Sequence, residues 1–299
     1  MLLCVDIGGT AVKYGLCGRD GVIVRKGQAP VAEDAYRTPV LETALKAAKA
    51  FVGAEAVEGV AVSATGQIDT ATGEVIGVVG SFPNYLGSQI GQAFREAFGV
   101  KATVLNDANA AALGEAWLGA ARGVRDFVMV TLGTGVGGGV VTGGRLLEGA
   151  RGIGGELGHF PLRLGGLPCP CGSSGCYERY ASTTALVARA EAATGLHRNG
   201  LEIFRDAGAG DETLLRVLDA WLDDVAAGLR GLAHIFNPSL ILIGGGVSAQ
   251  KTLLMDPLRA KVLSGIMPRF SEYLRIEPAA LGNDAGLLGA LKFFLDSPS

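Results

Sequence analysis

Between Met129 and Glu178 the chain gathers side chains of reactive type at close spacing. M-V-T-L-G-T-G-V-G-G-G-V-V is followed by G-I-G-G-E-L-G-H and then by C-P-C-G-S-S-G-C-Y-E. The first segment is a turn nearly free of side chains, in which backbone N–H groups can approach phosphate oxygens. The second places Glu156 three residues before His159, a spacing expected to put both on one side of a helical turn. The third supplies Cys169, Cys171 and Cys176, which with His159 make a Cys₃His set, one of the closed structural zinc combinations. The intervening R-L-G-G-L-P has little apolar side chain to fold around, so something other than a core must order it. Disulfides or free thiols are the alternative, and disulfides need an oxidising compartment. The spacing also departs from the Cys-x-x-Cys knuckle.

A second turn of the same kind lies near the start, where Asp6-Ile7-Gly8-Gly9-Thr10 precedes Lys13. Asp6 can hold Mg²⁺ through water, since a hard cation prefers oxygen ligands. Gly8, Gly9, Thr10 and Lys13 can meet phosphates, although alone the segment reads equally as an ordinary hairpin. Thr131, Gly133, Thr134 and Gly135 form its counterpart, without the Walker pattern. Asn106-Asp107 falls where a strand gives way to a helix. There Asp107 reads either as an N-cap or as a general base accepting a hydroxyl proton. Asp107, Glu156 and Glu178 together offer fixed acceptors to a polyhydroxylated substrate. Two phosphate turns, a base and a thiolate cluster point to phosphoryl transfer beside a zinc-braced acceptor site.

The elements that must position these groups alternate strand and helix, which argues α/β layers. Strands are expected at Leu2–Ile7, Ala11–Leu16, Val22–Arg25, Val57–Val62, Ala102–Leu105, Asp126–Leu132, Gly137–Val141 and Leu240–Ile243. Helices are expected over Thr38–Phe51, from a Ser88 cap to Phe98, and over 108–120, 182–194, 201–207 and 212–236, the last ended by Asn237-Pro238. A closing helix is expected over 284–295. The strand–Gly–Thr–strand units around Asp6 and Thr131 suggest an internal duplication.

The 299 residues are 48% hydrophobic and 18% charged, against roughly 25% charged in ordinary soluble domains, so a large core is available. A net charge of −3 with no basic run leaves out the footprint of a nucleic-acid binder. Met1 leads directly into a strand, and no apolar run is long enough to span a bilayer. The expectation is a cytoplasmic protein without membrane or nucleic-acid partners, in which Cys4 and Cys17 are buried thiols.

D-I-G-G-T-x-x-K, N-D, L-G-T-G-V-G-G-G, G-E-L-G-H, C-x-C-G-x-x-G-C-x-E and I-G-G-G-V-S occur in one order from Asp6 to about Ser248. In this the chain resembles the ROK family of sugar kinases and related repressors. The resemblance implies an α/β, actin-like ATPase (hexokinase-like) fold: two α/β domains around a cleft. The expected domains are 1–107, completed by a C-terminal helix at 284–299, and 108–283 with the zinc loop. It further implies Asp107 as catalytic base, with Gly66, Asn106, Glu156, His159 and Glu178 on the sugar. His159 would ligate zinc with Cys169, Cys171 and Cys176. Asp6, Gly8, Gly9, Thr10, Lys13, Thr131, Gly133, Thr134 and Gly135 would hold ATP and Mg²⁺, with Gly244, Gly245 and Gly246 against the adenosine. A small-molecule sugar and ATP as partners and a homodimer are implied as well. Ala64-Thr65-Gly66-Gln67 stands where many members have Pro-Gly. This version is similar to the subgroup with β-glucoside and N-acetylmannosamine kinases, so the sugar stays open. The absence of a helix-turn-helix ahead of Asp6 tells against the repressor branch, and the cysteine cluster favours ATP over polyphosphate.

Overall fold

The computed structural model describes residues 1–31, 36–79 and 83–298. The chain forms two compact units, one of Met1–Gly123, Leu146–Gly155 and Asn283–Ser299, the other of Val124–Arg145 and Glu156–Gly282.

In the first unit the elements run β1 (Leu2–Ile7), β2 (Ala11–Cys17), β3 (Ile23–Pro30), α1 (Val40–Val52), β4 (Gly59–Ala64), β5 (Gln67–Asp69), β6 (Glu74–Gly77), α2 (Ile90–Phe98), β7 (Ala102–Asn106) and α3 (Asp107–Leu118). Its main sheet has the order β3-β2-β1-β4-β7. β1 and β4 are buried almost throughout, as the inner strands of a sheet covered on both faces must be. The second unit contains β8 (Phe127–Leu132), β9 (Val136–Thr142), β10 (Arg145–Leu146), α4 (Glu178–Ala181), α5 (Thr183–Thr194), α6 (Gly200–Gly208), α7 (Glu212–Phe236), β11 (Leu240–Gly244), α8 (Asp256–Leu263), α9 (Pro268–Ser271) and β12 (Arg275–Pro278). Its sheet runs β10-β9-β8-β11-β12. In each sheet an antiparallel hairpin is followed on its first strand by two parallel neighbours, so the expected duplication is present as one topology used twice.

The last helix, α10 (Ala285–Asp296), returns to the first unit and lies against α3. The approach is close: a Cβ on Gly289 would meet the Ala110 carbonyl oxygen at 1.6 Å, and one on Gly114 would meet that of Ala285 at 2.5 Å. The core of the second unit is organised by α7, which buries Leu214, Leu218, Trp221, Leu222, Val225 and Leu229 along one stripe. Asp211 caps its start by accepting from the Thr213 and Leu214 N–H groups, and Asn237 ends it in the left-handed region at φ 47°.

Two helix starts differ from expectation. The first helix begins at Val40 rather than Thr38, because Pro39 holds φ −55°, ψ 141° and disfavours helical backbone before it. Ser88 does not cap α2. Its carbonyl accepts from Val75 N–H, which fixes it beside β6, and Gln89 occupies the N-cap position without a side-chain bond.

Candidate active site

In the first unit, Asp6 is the penultimate residue of β1 and Lys13 lies directly across from it on β2, which explains their spacing. Lys13 Nζ is 3.4 Å from Asp6 Oδ2 and 3.5 Å from Asn283 Oδ1. The Ser63 hydroxyl donates to Asp6 Oδ1 at 2.7 Å. Gly8 N–H closes the turn onto Ala11 O at 3.1 Å, and the Tyr36 hydroxyl donates to Gly9 O at 2.8 Å. Thr10, at the turn's end, is exposed. An oxygen-donor carboxylate at this strand end, beside a lysine, suits a magnesium–phosphate group.

Beyond β4 the chain reverses at Gly66, φ +92°, where a Cβ would come within 2.9 Å of Gly77 O. Three bonds hold this turn. Thr65 N–H donates to Ile7 O at 2.9 Å, the Tyr85 hydroxyl to Thr65 O at 3.2 Å, and Asn106 Nδ2 to Gly66 O at 2.9 Å. Tyr85 is fully buried; burial, with the Asp107 and Asp6 carboxylates nearby, pushes its hydroxyl far above the ordinary range, so it remains a donor.

Asn106 also caps α3, its Oδ1 accepting from Ala108 N–H at 3.0 Å and Asn109 N–H at 3.1 Å. The capping role considered for Asp107 therefore belongs to its neighbour. Asp107 is the first residue of the helix, with Oδ1 accepting from Ala108 N–H at 2.8 Å and Asn106 Nδ2 at 3.1 Å.

In the second unit, Gly133 to Gly135 make the turn of the β8–β9 hairpin, with Thr131 just before it on β8. Gly133 N–H donates to Gly135 O, while the turn's own carbonyls receive Thr183 N–H (to Gly133, 2.8 Å) and the Thr184 hydroxyl (to Thr134, 2.7 Å). β11 runs parallel to β8 with Gly244 opposite Thr131, so both glycine segments stand at the C-terminal ends of adjacent parallel strands. Gly245, φ +97°, lies so near Leu132 that a Cβ would meet its carbonyl oxygen at 2.1 Å. Gly246 follows, with nothing within 4 Å of a Cβ built on it.

Glu156 and His159 do not share a helical face. They bound a turn closed by His159 N–H to Glu156 O at 3.1 Å, with Leu157 packed where Gly138 leaves room on β9. Glu178 begins α4, and its N–H donates to Gly158 O at 2.9 Å. Its Oε2 accepts from Val136 N–H at 3.0 Å, directly after the glycine turn. A Cβ on Gly135 would stand 2.3 Å from that oxygen. One carboxylate therefore joins the Gly-Thr-Gly turn to the segment carrying His159.

His159, Cys169, Cys171 and Cys176 converge, with one ligand atom from each within 4.8 Å of all the others. His159 Nδ1 is 3.7 Å from Cys169 Sγ, and Cys171 Sγ is 3.6 Å from Cys176 Sγ. A tetrahedron with zinc–sulfur bonds near 2.3 Å has edges of about 3.8 Å, whereas a disulfide would bring sulfurs to about 2.0 Å. The donor set and its spacing fit zinc. Burial pushes the Cys176 thiol up to about 12, and a backbone bond from Ser173 lowers that of Cys171. Asp224 anchors the loop to α7 by pairing with both Arg163 and Arg189, and Arg163 stacks on Tyr180 at 4.4 Å.

Ser63, Tyr85, Asn109 and Asn283 contact this machinery, yet no motif drew attention to them. Asn109 had one available signal: an amide side chain among the alanines that open the helix. Among the described residues no helix is long and apolar enough to cross a membrane.

Residues 2–297 match the family described as ROK. A glucokinase of Thermotoga maritima is 36% identical over 308 aligned positions, covering 97% of this chain and 95% of the relative. A β-glucoside kinase of Listeria innocua is 32% identical, covering 97% and 96%. The crystal structure of a ROK family glucokinase from Streptomyces griseus in complex with glucose and AMPPNP superposes with a TM-score of 0.85. It is 32% identical, and the match covers 98% of each chain. The two sheets and their helices thus make an actin-like ATPase fold, and this chain belongs to the ROK family.

Proposed function

We propose that the chain is a ROK sugar kinase that transfers the γ-phosphoryl group of ATP to the 6-hydroxyl of a hexose. The observation that carries this reading is the start of α3. Asn106 does the capping and fastens the Gly66 turn, which leaves Asp107 on the first helical turn with its Oδ1 accepting from Ala108 N–H. Asp107 accepts the proton of the acceptor hydroxyl as its oxygen bonds to phosphorus and ADP departs. Asn106, Glu156, His159, Glu178 and the Gly66 backbone hold the remaining sugar hydroxyls. Gly8 to Thr10, Lys13, Thr131 to Gly135 and Gly244 to Gly246 hold the nucleotide. Mg²⁺, when bound by way of Asp6, neutralises charge developing on the phosphoryl oxygens. Zinc, in the Cys₃His set, fixes the tautomer of His159, so that the ring nitrogen away from the metal is an oriented hydrogen-bond partner.

The relatives include kinases named for glucose and for β-glucosides, and Ala64-Thr65-Gly66 leaves both acceptors open, along with N-acetylmannosamine. An ATP-coupled assay across these sugars identifies the acceptor. Asp107→Asn retains the oxygen that accepts from Ala108 N–H but cannot take a proton. Turnover should fall by roughly 10² to 10⁴ with sugar affinity preserved. A loss smaller than about tenfold would remove Asp107 as the base. A non-catalytic sugar sensor would bind sugar and release no ADP. We also propose a cytoplasmic homodimer, which sedimentation of the purified protein tests.

A further inference from the structure

The segment Leu146–Gly155, which belongs to the first unit and leads into Glu156, is fastened at two points within that unit. Asn109, one residue beyond Ala108 on the first turn of α3, donates from Nδ2 to the carbonyl of Gly154 at 3.1 Å. Gly154 is two residues before Glu156, and its own N–H donates to Glu148 O at 2.7 Å, closing the segment into a compact loop. On the other side, Arg151 donates from Nε (3.1 Å) and Nη2 (2.7 Å) to Asp69 Oδ2. Asp69 is buried, its Oδ1 accepts from Ala71 N–H, and the Arg151 guanidinium holds its carboxyl below the ordinary range. Gly152 packs on Thr70 so closely that a Cβ would stand 2.5 Å from the threonine side chain.

Asn109 is 1% exposed, and among the described residues its Oδ1 has no hydrogen-bond partner. A buried amide with an unmet acceptor is destabilising. Leucine would fill the same volume without that cost. The retained amide therefore marks a position where the donor to Gly154 matters more than packing.

We propose that Asn109 is a positioning residue for sugar binding. It ties the turn that carries the base to the loop that delivers Glu156, with Arg151–Asp69 as the second tether. The same first turn holds Gly66 through Asn106, so one piece of helix carries the base and fastens both the Gly66 turn and the loop that leads into Glu156. This inference rests on the sugar-kinase reading and adds a residue that touches neither substrate.

The test uses Asn109→Leu and Arg151→Ala, with sugar binding by calorimetry and steady-state kinetics in both substrates. The Arg151 side chain is 61% exposed, so its removal leaves the fold intact even if the Asn109 variant does not fold. Expected for each variant is a rise in sugar Kd and KM of roughly threefold to a hundredfold, the span of one lost bond to one stranded buried carbonyl, larger for Asn109→Leu. The KM for ATP stays unchanged. Unchanged sugar Kd in Arg151→Ala and in folded Asn109→Leu overturns the inference, as does a parallel loss of sugar and ATP affinity. A wild-type protein that binds no sugar defeats the kinase reading itself, and this inference with it.

Discussion

Gly135→Ala separates the two roles that the geometry gives Glu178. Gly135 lies outside the left-handed backbone region, so alanine is not strained by conformation, and the whole effect is steric. The new Cβ would stand 2.3 Å from Glu178 Oε2 and 3.2 Å from its Cδ. Reaching ordinary van der Waals separation moves the carboxylate by roughly 1 Å. The Val136 N–H bond, now 3.0 Å, then opens past the limit of a hydrogen bond. A charge-assisted bond contributes roughly 1.5–3 kcal/mol, which corresponds to about 10- to 150-fold in an equilibrium or rate. If Glu178 holds a sugar hydroxyl, that factor appears in kcat/KM for the sugar. Because the same carboxylate supports the Gly-Thr-Gly turn, a smaller loss should appear in kcat/KM for ATP. The assay is ADP release coupled to NADH oxidation with each substrate varied in turn, alongside a thermal melt. A fall in sugar kcat/KM of less than about tenfold, in protein that melts normally, would refute the placement of Glu178 in the acceptor site.

Two further perturbations probe the scaffold. Gly289→Ala gains about 1 kcal/mol of helix propensity but drives a methyl group into the Ala110 carbonyl, so α10 must lift from α3. The expected net loss is more than about 2 kcal/mol, read as a lower denaturant midpoint, and an unchanged midpoint would show that the two helices are not in contact. Cys171→Ser should empty the thiolate cluster, which otherwise holds about one zinc per chain by elemental analysis. It should raise the sugar KM while leaving the ATP KM in place; active wild-type protein free of zinc would end that account.

What could be read from the chain alone was whatever rests on local spacing. The end of α7 follows from Asn237-Pro238, whereas its Asp211 cap is evident only in the structure, and motif spacing alone selects Asp6 and Lys13, which the cross-strand register then pairs. The cysteine cluster could be assembled because its ligands lie within eighteen residues of one another. The contacts that aim these groups join positions far apart. Asn109 meets Gly154 across 45 residues and Arg151 meets Asp69 across 82, and neither pair leaves any periodic trace. The spacing of Glu156 and His159 suggested a helical face, yet glycines on either side and Leu157 seated on Gly138 make it a turn. Ser88 carried a capping residue's chemistry but had its backbone committed to Val75.

Because α10 completes the first unit, the order of synthesis matters to its folding. β1 to α3 emerge early from the ribosome, but the helix that covers Leu2, Cys4 and Ala61 is encoded after the whole of the second unit. Until residue 296 clears the exit tunnel, the face of that sheet bearing Leu2, Cys4 and Ala61 has Trp117 of α3 against it but not α10, and Gly114 of α3 has no partner helix. The early sheet is then a natural client for a chaperone, while the second unit can close its own core around α7 first. Slowing translation within the second unit should lengthen that exposed interval, and ribosome-bound chains stalled before Asn283 should stay protease-sensitive within residues 1–123.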